Sequence, residues 1–168
     1  MPKGNKKTVL VTGGAGYIGS HTVRQLCEAE DTNIIVLDSL VHGHREALID
    51  PSVAFYEGNL SDAALVEDLF SSHPIESVIH FAAYTAVGES VQAPLRYYEN
   101  NTVAPLTILE AMERHGCRQF IFSSTAATYG NPIQCPIDEN HPTEPINPYG
   151  RSKLMLEQVI RDCEAAWG

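Results

Sequence analysis

Short apolar, β-branched runs alternate along the chain with segments whose apolar residues recur at helical spacing, the pattern of βαβ units closing into a parallel sheet. "KTVLVTGG" predicts a first strand over Thr8–Thr12, apolar on both faces as a covered parallel strand should be. "GYIGSHTVRQLCEAE" predicts a helix with Ile18, Val23, Leu26 and Cys27 on one side. "NIIVLDSL" predicts a second strand ending near Asp38, "SVAFYEGN" a third, and "SDAALVEDLFSS" a helix with Ser61 as its N-cap. "ESVIHFAA" is a fourth strand. A long helix is expected through "SVQAPLRYYENNTVAPLTILEAMERHG", with Leu106, Leu109 and Met112 at helical spacing and Gly116 closing it. Pro105 lies inside and should kink that helix or free the carbonyl of Asn101. "RQFIFSS" is a fifth strand. The proline-rich "NPIQCPIDENHPTEPINP" is too long for an idle connection and is a candidate active-site wall. Asn147 caps a last helix with Pro148 in its first turn. One doubly wound α/β domain is the expectation, with no internal repeat and no interdomain linker.

Composition narrows the partners. A chain of 168 residues can bury a proper core. The formal charge of −10 argues against nucleic acid, and it means that an anionic ligand must be held by local dipoles. No apolar run approaches the roughly 20 residues that span a bilayer, so no membrane partner is expected. The opening "MPKGNKKTVLVTGG" is basic and then apolar, but glycines follow too soon for a signal peptide; it reads as a flexible lead into a strand, and the expected compartment is cytoplasmic. Cys27, Cys117, Cys135 and Cys163 lack paired spacing and read as reduced thiols. His42 and His44 in "VHGHRE" make a weak metal pair better read as solvated, so no metal is expected.

Two motifs carry candidate chemistry. "TGGAGYIGS" sets Gly13, Gly16 and Gly19 between a strand and a helix. Gly13 permits a tight turn, Gly16 lets backbone approach a pyrophosphate, and Gly19 lets the helix pack closely, so the pyrophosphate meets N–H groups at a helix N-terminus. Asp38 falls at the end of the next strand, where a carboxylate can take both ribose hydroxyls. Ser39 follows with no adjacent arginine, which favours NAD over NADP. Tyr149 and Lys153 stand four residues apart on one face of the last helix. A free phenol is a poor base at neutral pH, and an adjacent ammonium together with a positive nicotinamide ring favours its ionised form. Such a tyrosine removes a hydroxyl proton while hydride leaves the same carbon. Thr125, just past the fifth strand, is placed to hydrogen-bond that same oxygen.

With those residues in view, the chain resembles the extended short-chain dehydrogenases/reductases, and within them the UDP-glucose 4-epimerases. The resemblance is carried by "VTGGAGYIGSH", "VIHFAAYTAVGESV", "YYENN", "IFSSTAATYG" and "NPYGRSKLMLEQ" and covers essentially the whole chain. It implies a Rossmann-like sheet with NAD bound. Tyr17 and Ile18 would lie on the pyrophosphate and Asp38 on the adenosine ribose. Asn59 and Leu60 would sit by adenine, with Phe81, Ala82, Ala83 and Asn100 along the cofactor. Thr125, Tyr149 and Lys153 would form the catalytic group, acting on UDP-glucose and UDP-galactose by transient oxidation at C4. Thr85 stands where many epimerases have a cofactor-contacting lysine, Asn59 replaces an acidic residue, and Thr125 replaces serine. The rival is a nucleotide-sugar dehydratase, which carries an Asp–Glu pair after the threonine; this chain has Ala126 and Ala127.

The resemblance also implies further sequence beyond Gly168: a sixth and seventh strand and a domain that grips the nucleotide sugar. The expectation is therefore an incomplete NAD-binding domain over 1–168 without its substrate domain, and a fifth strand left as an exposed sheet edge. An isolated dinucleotide-binding module without turnover is the alternative. Helices 91–115 and 148–165 are apolar enough to pair two subunits, so a homodimer is expected of the full protein.

Overall fold

The structure is a computed structural model that describes residues 6–167. The lead expected over the first five residues lies outside the described residues. Five parallel strands form one sheet in the order β3-β2-β1-β4-β5: β1 Lys7–Thr12, β2 Thr32–Asp38, β3 Ala54–Glu57, β4 Ile75–His80 and β5 Gln119–Phe122. All five predicted strands are present. β1 is central, paired with β2 from Lys7↔Thr32 to Thr12↔Leu37 and with β4 on its other side. The order reverses between β1 and β4, the switch point beside which open α/β sheets bind ligands.

The chain divides into two compact units, residues 1–82 with 107–123 and residues 83–106 with 124–168. The first holds every strand, α1 (Tyr17–Ala29), α2 (Ala63–Ser72) and most of α5 (Ala104–His115). Its core is the covered sheet: Leu10, Val11, Val36 and Val78 have no exposure, and each such burial contributes about 1.5–3 kcal/mol. One face packs Val9, Val11, Ile34 and Val36 against Ala15 and Val23.

Three local expectations are corrected here. Ile18 does not share the buried face of α1; it is 59% exposed, while Val23 is buried. Five residues at 100° each set those two about 140° apart. Ser61 does not cap α2. Asp62 does, its carboxylate accepting Leu65 N–H at 3.1 Å, while Ser61 turns back to Asn59 Oδ1. The long helix is not continuous. It runs as α3 (Val87–Gln92), α4 (Pro94–Tyr98), a π turn (Glu99–Val103) and then α5. Pro94 enforces the first break, because the residue before proline avoids helical angles and Ala93 sits at φ −131°, ψ 59°. The irregularity expected of Pro105 appears one turn earlier, where Ala104 N–H bonds Glu99 O five residues back. Gly116 closes α5 as predicted, at φ +72°, with Cys117 N–H bonding Met112 O and Gly116 N–H bonding Glu113 O.

The second unit is built from α3, α4, the π turn, a 3₁₀ turn (Ala126–Tyr129), the proline-rich segment and α6 (Pro148–Trp167). Asn147 caps α6 as expected, its Oδ1 accepting Gly150 N–H at 2.8 Å. The proline-rich segment contains a cis Cys135–Pro136 bond, and His141 is its buried residue. Among the described residues no helix is long and apolar enough to cross a membrane.

Candidate functional site

In the first unit, the predicted glycine turn lies at the C-terminal edge of the sheet. The strand ladder runs on into it: Gly13 N–H bonds Leu37 O at 2.9 Å, Gly58 N–H bonds Asp38 O at 3.0 Å and Phe81 N–H bonds Thr12 O at 2.9 Å. The glycines differ in what makes them glycine. Gly13 has φ +71°, and a Cβ there would lie 2.5 Å from Ala82 N. A Cβ on Gly19 would lie 2.2 Å from Gly13 O, so Gly19 brings α1 onto the turn itself. At Gly16 an added Cβ would meet only Gly13 O, at 3.3 Å. The chain itself nearly tolerates a side chain there, and the space it would fill is the mouth of α1. That mouth has no side-chain cap and no acidic residue in its first turn, and Tyr17 and Ile18 stand exposed beside it. An anion fits it on dipole grounds.

Asp38 is buried at the end of β2, with Oδ2 accepting Ala15 N–H at 2.9 Å and Oδ1 accepting Leu40 N–H at 2.8 Å. Each oxygen keeps one acceptor direction, so the carboxylate both braces the glycine turn and can still take hydroxyl donors. Ser39 is exposed next to it. Sequence reasoning missed Gly43, where a Cβ would lie 2.9 Å from Asp38 Oδ1; His44 N–H bonds Ala15 O at 3.0 Å, folding this loop over the turn. The "VHGHRE" stretch thus has a positional role, and His42 and His44 are both exposed. Asn59 commits its Oδ1 to Ser61 and keeps its amide N–H₂ to donate. Leu60 is buried, and its carbonyl accepts Thr107 Oγ1–H at 2.5 Å. Phe81 and Ala82 are half-buried at the end of β4.

In the second unit, α6 carries Tyr149 and Lys153. Gly150 sets the helix close to the 3₁₀ turn, since a Cβ there would lie 2.6 Å from Ala127 O. Thr125 caps that turn: its Oγ1 accepts Ala127 N–H at 3.1 Å, leaving the hydroxyl proton to donate elsewhere. Tyr149 meets the edge of Tyr97 at 6.5 Å between ring centroids. Lys153 is 3% exposed, and burial pushes its ammonium down to about 8 against the opposing pull of Glu157. Tyr97 is wholly buried and its phenol is pushed up to about 12, chiefly by burial and then by Glu89.

The residue that organises this unit was not predicted. Asn101, in the π turn, is 1% exposed. Its Oδ1 accepts Tyr84 N–H and Asn100 Nδ2–H, both at 2.8 Å, while its Nδ2 donates to Tyr84 O at 2.9 Å and Ser152 Oγ at 3.3 Å. Ser152 in turn donates to Tyr149 O at 2.8 Å, and its own carbonyl accepts Thr102 Oγ1–H at 3.0 Å. The widened π turn presents Asn101 and Thr102 to one residue of α6, just between Tyr149 and Lys153. Asn100 therefore points at least one N–H into this network, and Ala83 opens the unit half-buried beside Tyr84. Among the described residues no three His, Cys, Asp or Glu side chains converge as a metal-binding group.

Residues 9–168 match the NAD dependent epimerase/dehydratase family. The chain is 52% identical over 160 residues to the UDP-glucose 4-epimerase of Halalkalibacterium halodurans, covering 95% of this chain and 47% of that protein. It is 47% identical over 164 residues to that of Bacillus subtilis, covering 94% and 48%. Among solved structures it superposes on the UDP-Glc/GlcNAc 4-epimerase of Campylobacter jejuni with TM-score 0.91 and 48% identity, covering 95% of this chain and 50% of that one. It superposes on the Bifidobacterium longum UDP-glucose 4-epimerase, solved with NAD+ and UDP, with TM-score 0.90 and 42% identity, again covering 95% and 50%. The chain thus spans about half the length of the relatives it matches.

Proposed function

The chain belongs to the NAD dependent epimerase/dehydratase family, and from that premise we propose that its protein is a UDP-glucose 4-epimerase using NAD. The observation that carries the reading is Lys153, buried one helical turn beyond Tyr149 with its charge made costly. A buried lysine without a task would be a pure penalty of the kind that proteins avoid.

In this reading Gly13, Gly16, Tyr17, Ile18 and Gly19 hold the pyrophosphate through the N–H groups of α1. Asp38 and Ser39 take the adenosine ribose. Asn59 and Leu60 border adenine, with the Asn59 amide as donor. Phe81, Ala82, Ala83 and Asn100 line the rest, and Tyr149 and Lys153 touch the cofactor as well as the reaction. NAD, when bound, supplies reversible hydride acceptance at C4 of the sugar. Tyr149 takes the O4 proton as that carbon is oxidised and returns it afterwards. Lys153, predominantly ammonium below about 8, stabilises the phenolate with which Tyr149 takes that proton. Thr125 donates its hydroxyl proton to the same sugar oxygen. Ala126 and Ala127 offer no acid for eliminating water, which supports epimerisation over dehydration.

Because the matched relatives are about twice as long, we propose turnover for a polypeptide that also carries a nucleotide-sugar domain, and dinucleotide binding alone for residues 1–168. A coupled assay for conversion of UDP-galactose, with calorimetry of NAD+ binding, tests both. Turnover by the 168 residues alone overturns the second statement, and absence of NAD+ binding overturns both. A homodimer is proposed for the full protein through helices 91–115 and 148–165, which expose Val91, Leu95, Val103 and Met155. Light scattering after size exclusion checks it.

A further inference from the structure

Glu157 lies four residues beyond Lys153 on α6, a spacing that puts their side chains on one face. Its carboxylate is held at both ends: Ser124 Oγ–H donates to Oε1, and the Arg161 guanidinium sits 3.2 Å from Oε2. The side chain is only 20% exposed, whereas that of Arg161 is 68% exposed. A carboxylate so fixed has little freedom to follow solvent, and the field it exerts on its own helix face is correspondingly constant. We propose that Glu157 is a positioning residue for Lys153: anchored by Ser124 and Arg161, it keeps the Lys153 ammonium charged and aimed at the depth where α6 buries it. This inference rests on the proposed role of Lys153.

Other ionisable groups stand on the elements packed against α6. They are Glu89 on α3, Arg96, Tyr97 and Tyr98 on α4, Glu99 in the π turn and Tyr129 in the 3₁₀ turn. Glu89 is already engaged by Arg96 and by the Tyr97 hydroxyl. Glu157 is the charge that opposes burial at Lys153. Ser124 directly precedes Thr125, so the same bond also ties the segment bearing the Thr125 hydroxyl to the helix bearing Tyr149 and Lys153.

The test is an NMR titration with side-chain-labelled lysine. The chain has four lysines, three of them within the first seven residues, so K153R assigns the Lys153 signal outright. Glu157→Gln keeps an acceptor for Ser124 and removes the charge. Its Lys153 midpoint should fall by about one unit. Ser124→Ala, which frees the carboxylate, should produce a smaller fall. An unmoved midpoint in folded Glu157→Gln overturns the inference. Should that variant not fold, Glu157→Asp decides: the retracted charge must give a midpoint below wild type, and an unchanged one overturns the inference. NAD+ affinity is measured alongside on wild type. An unmoved Lys153 midpoint with intact affinity sinks only this inference; lost affinity sinks the proposed function and leaves the titration readable.

Discussion

In the proposed function the two units contribute by opposite means. In the first, the essential positions are ones where a side chain is missing: Gly13, Gly19 and Gly43 let backbone and carboxylate approach closer than any Cβ permits. In the second, they are positions where a polar side chain is buried: Asn101, Ser152 and Lys153 are each 3% exposed or less. A cradle for an anion wants bare N–H groups, which are available only where side chains are absent. Proton handling wants a charge removed from water, which needs a framework of satisfied hydrogen bonds to hold it. The first kind fails by collision, the second by leaving a polar group unpaired.

That contrast can be broken in graded steps. Gly19→Ala forces a methyl into Gly13 O and should cost on the order of 4 kcal/mol. Gly16→Ala meets only a 3.3 Å contact and should cost under about 1 kcal/mol while still abolishing NAD+ binding. Thermal denaturation with calorimetry reads both. Equal stability loss in the two variants would erase the distinction between a packing glycine and a ligand glycine.

In the second unit, Asn101→Ala strands Tyr84 and Ser152 groups and should cost about 3 kcal/mol in urea unfolding. Lys153→Met should do the reverse at neutral pH, stabilising by about 2 kcal/mol. The sign follows from the depressed value. Below about 8 folded and unfolded chains both hold the proton, and the wild type bears the full burial penalty. Between about 8 and the ordinary 10.5 the unfolded chain holds a proton that the folded chain has lost, so wild-type stability rises with pH. The advantage of Lys153→Met is therefore greatest below 8 and disappears by 10.5. At the cap of α2, Asp62→Ala should cost about 1 kcal/mol, against Ser61→Ala near zero.

The same contrast explains what the sequence made legible. Strands announce themselves through β-branched runs, and all five were predicted; the turn glycines announce themselves through spacing. Gly43 did not, because Ala15, which it packs against, is remote in sequence and no recognised spacing ties Gly43 to Asp38. Asn101 was visible only within "YYENN" and as the carbonyl that Pro105 would free. Its importance depends on a π turn that no residue spacing encodes and on Ser152, 51 positions away. The break at Ala93 was legible in principle, since Pro94 restricts its predecessor, but the apolar helical period on both sides masked it. Ser61 and Asp62 are both good caps, and the choice between them was made by Asn59, which engages Ser61.

In the proposed function Tyr149 moves the proton in a reaction whose cofactor is bound by the glycine turn. Tyr149→Phe in the polypeptide that turns over UDP-galactose tests it most directly, with NAD+ affinity measured on the same preparation. Turnover should fall by about 10²–10⁴-fold with NAD+ affinity essentially unchanged. Turnover at the wild-type rate without that hydroxyl would contradict it.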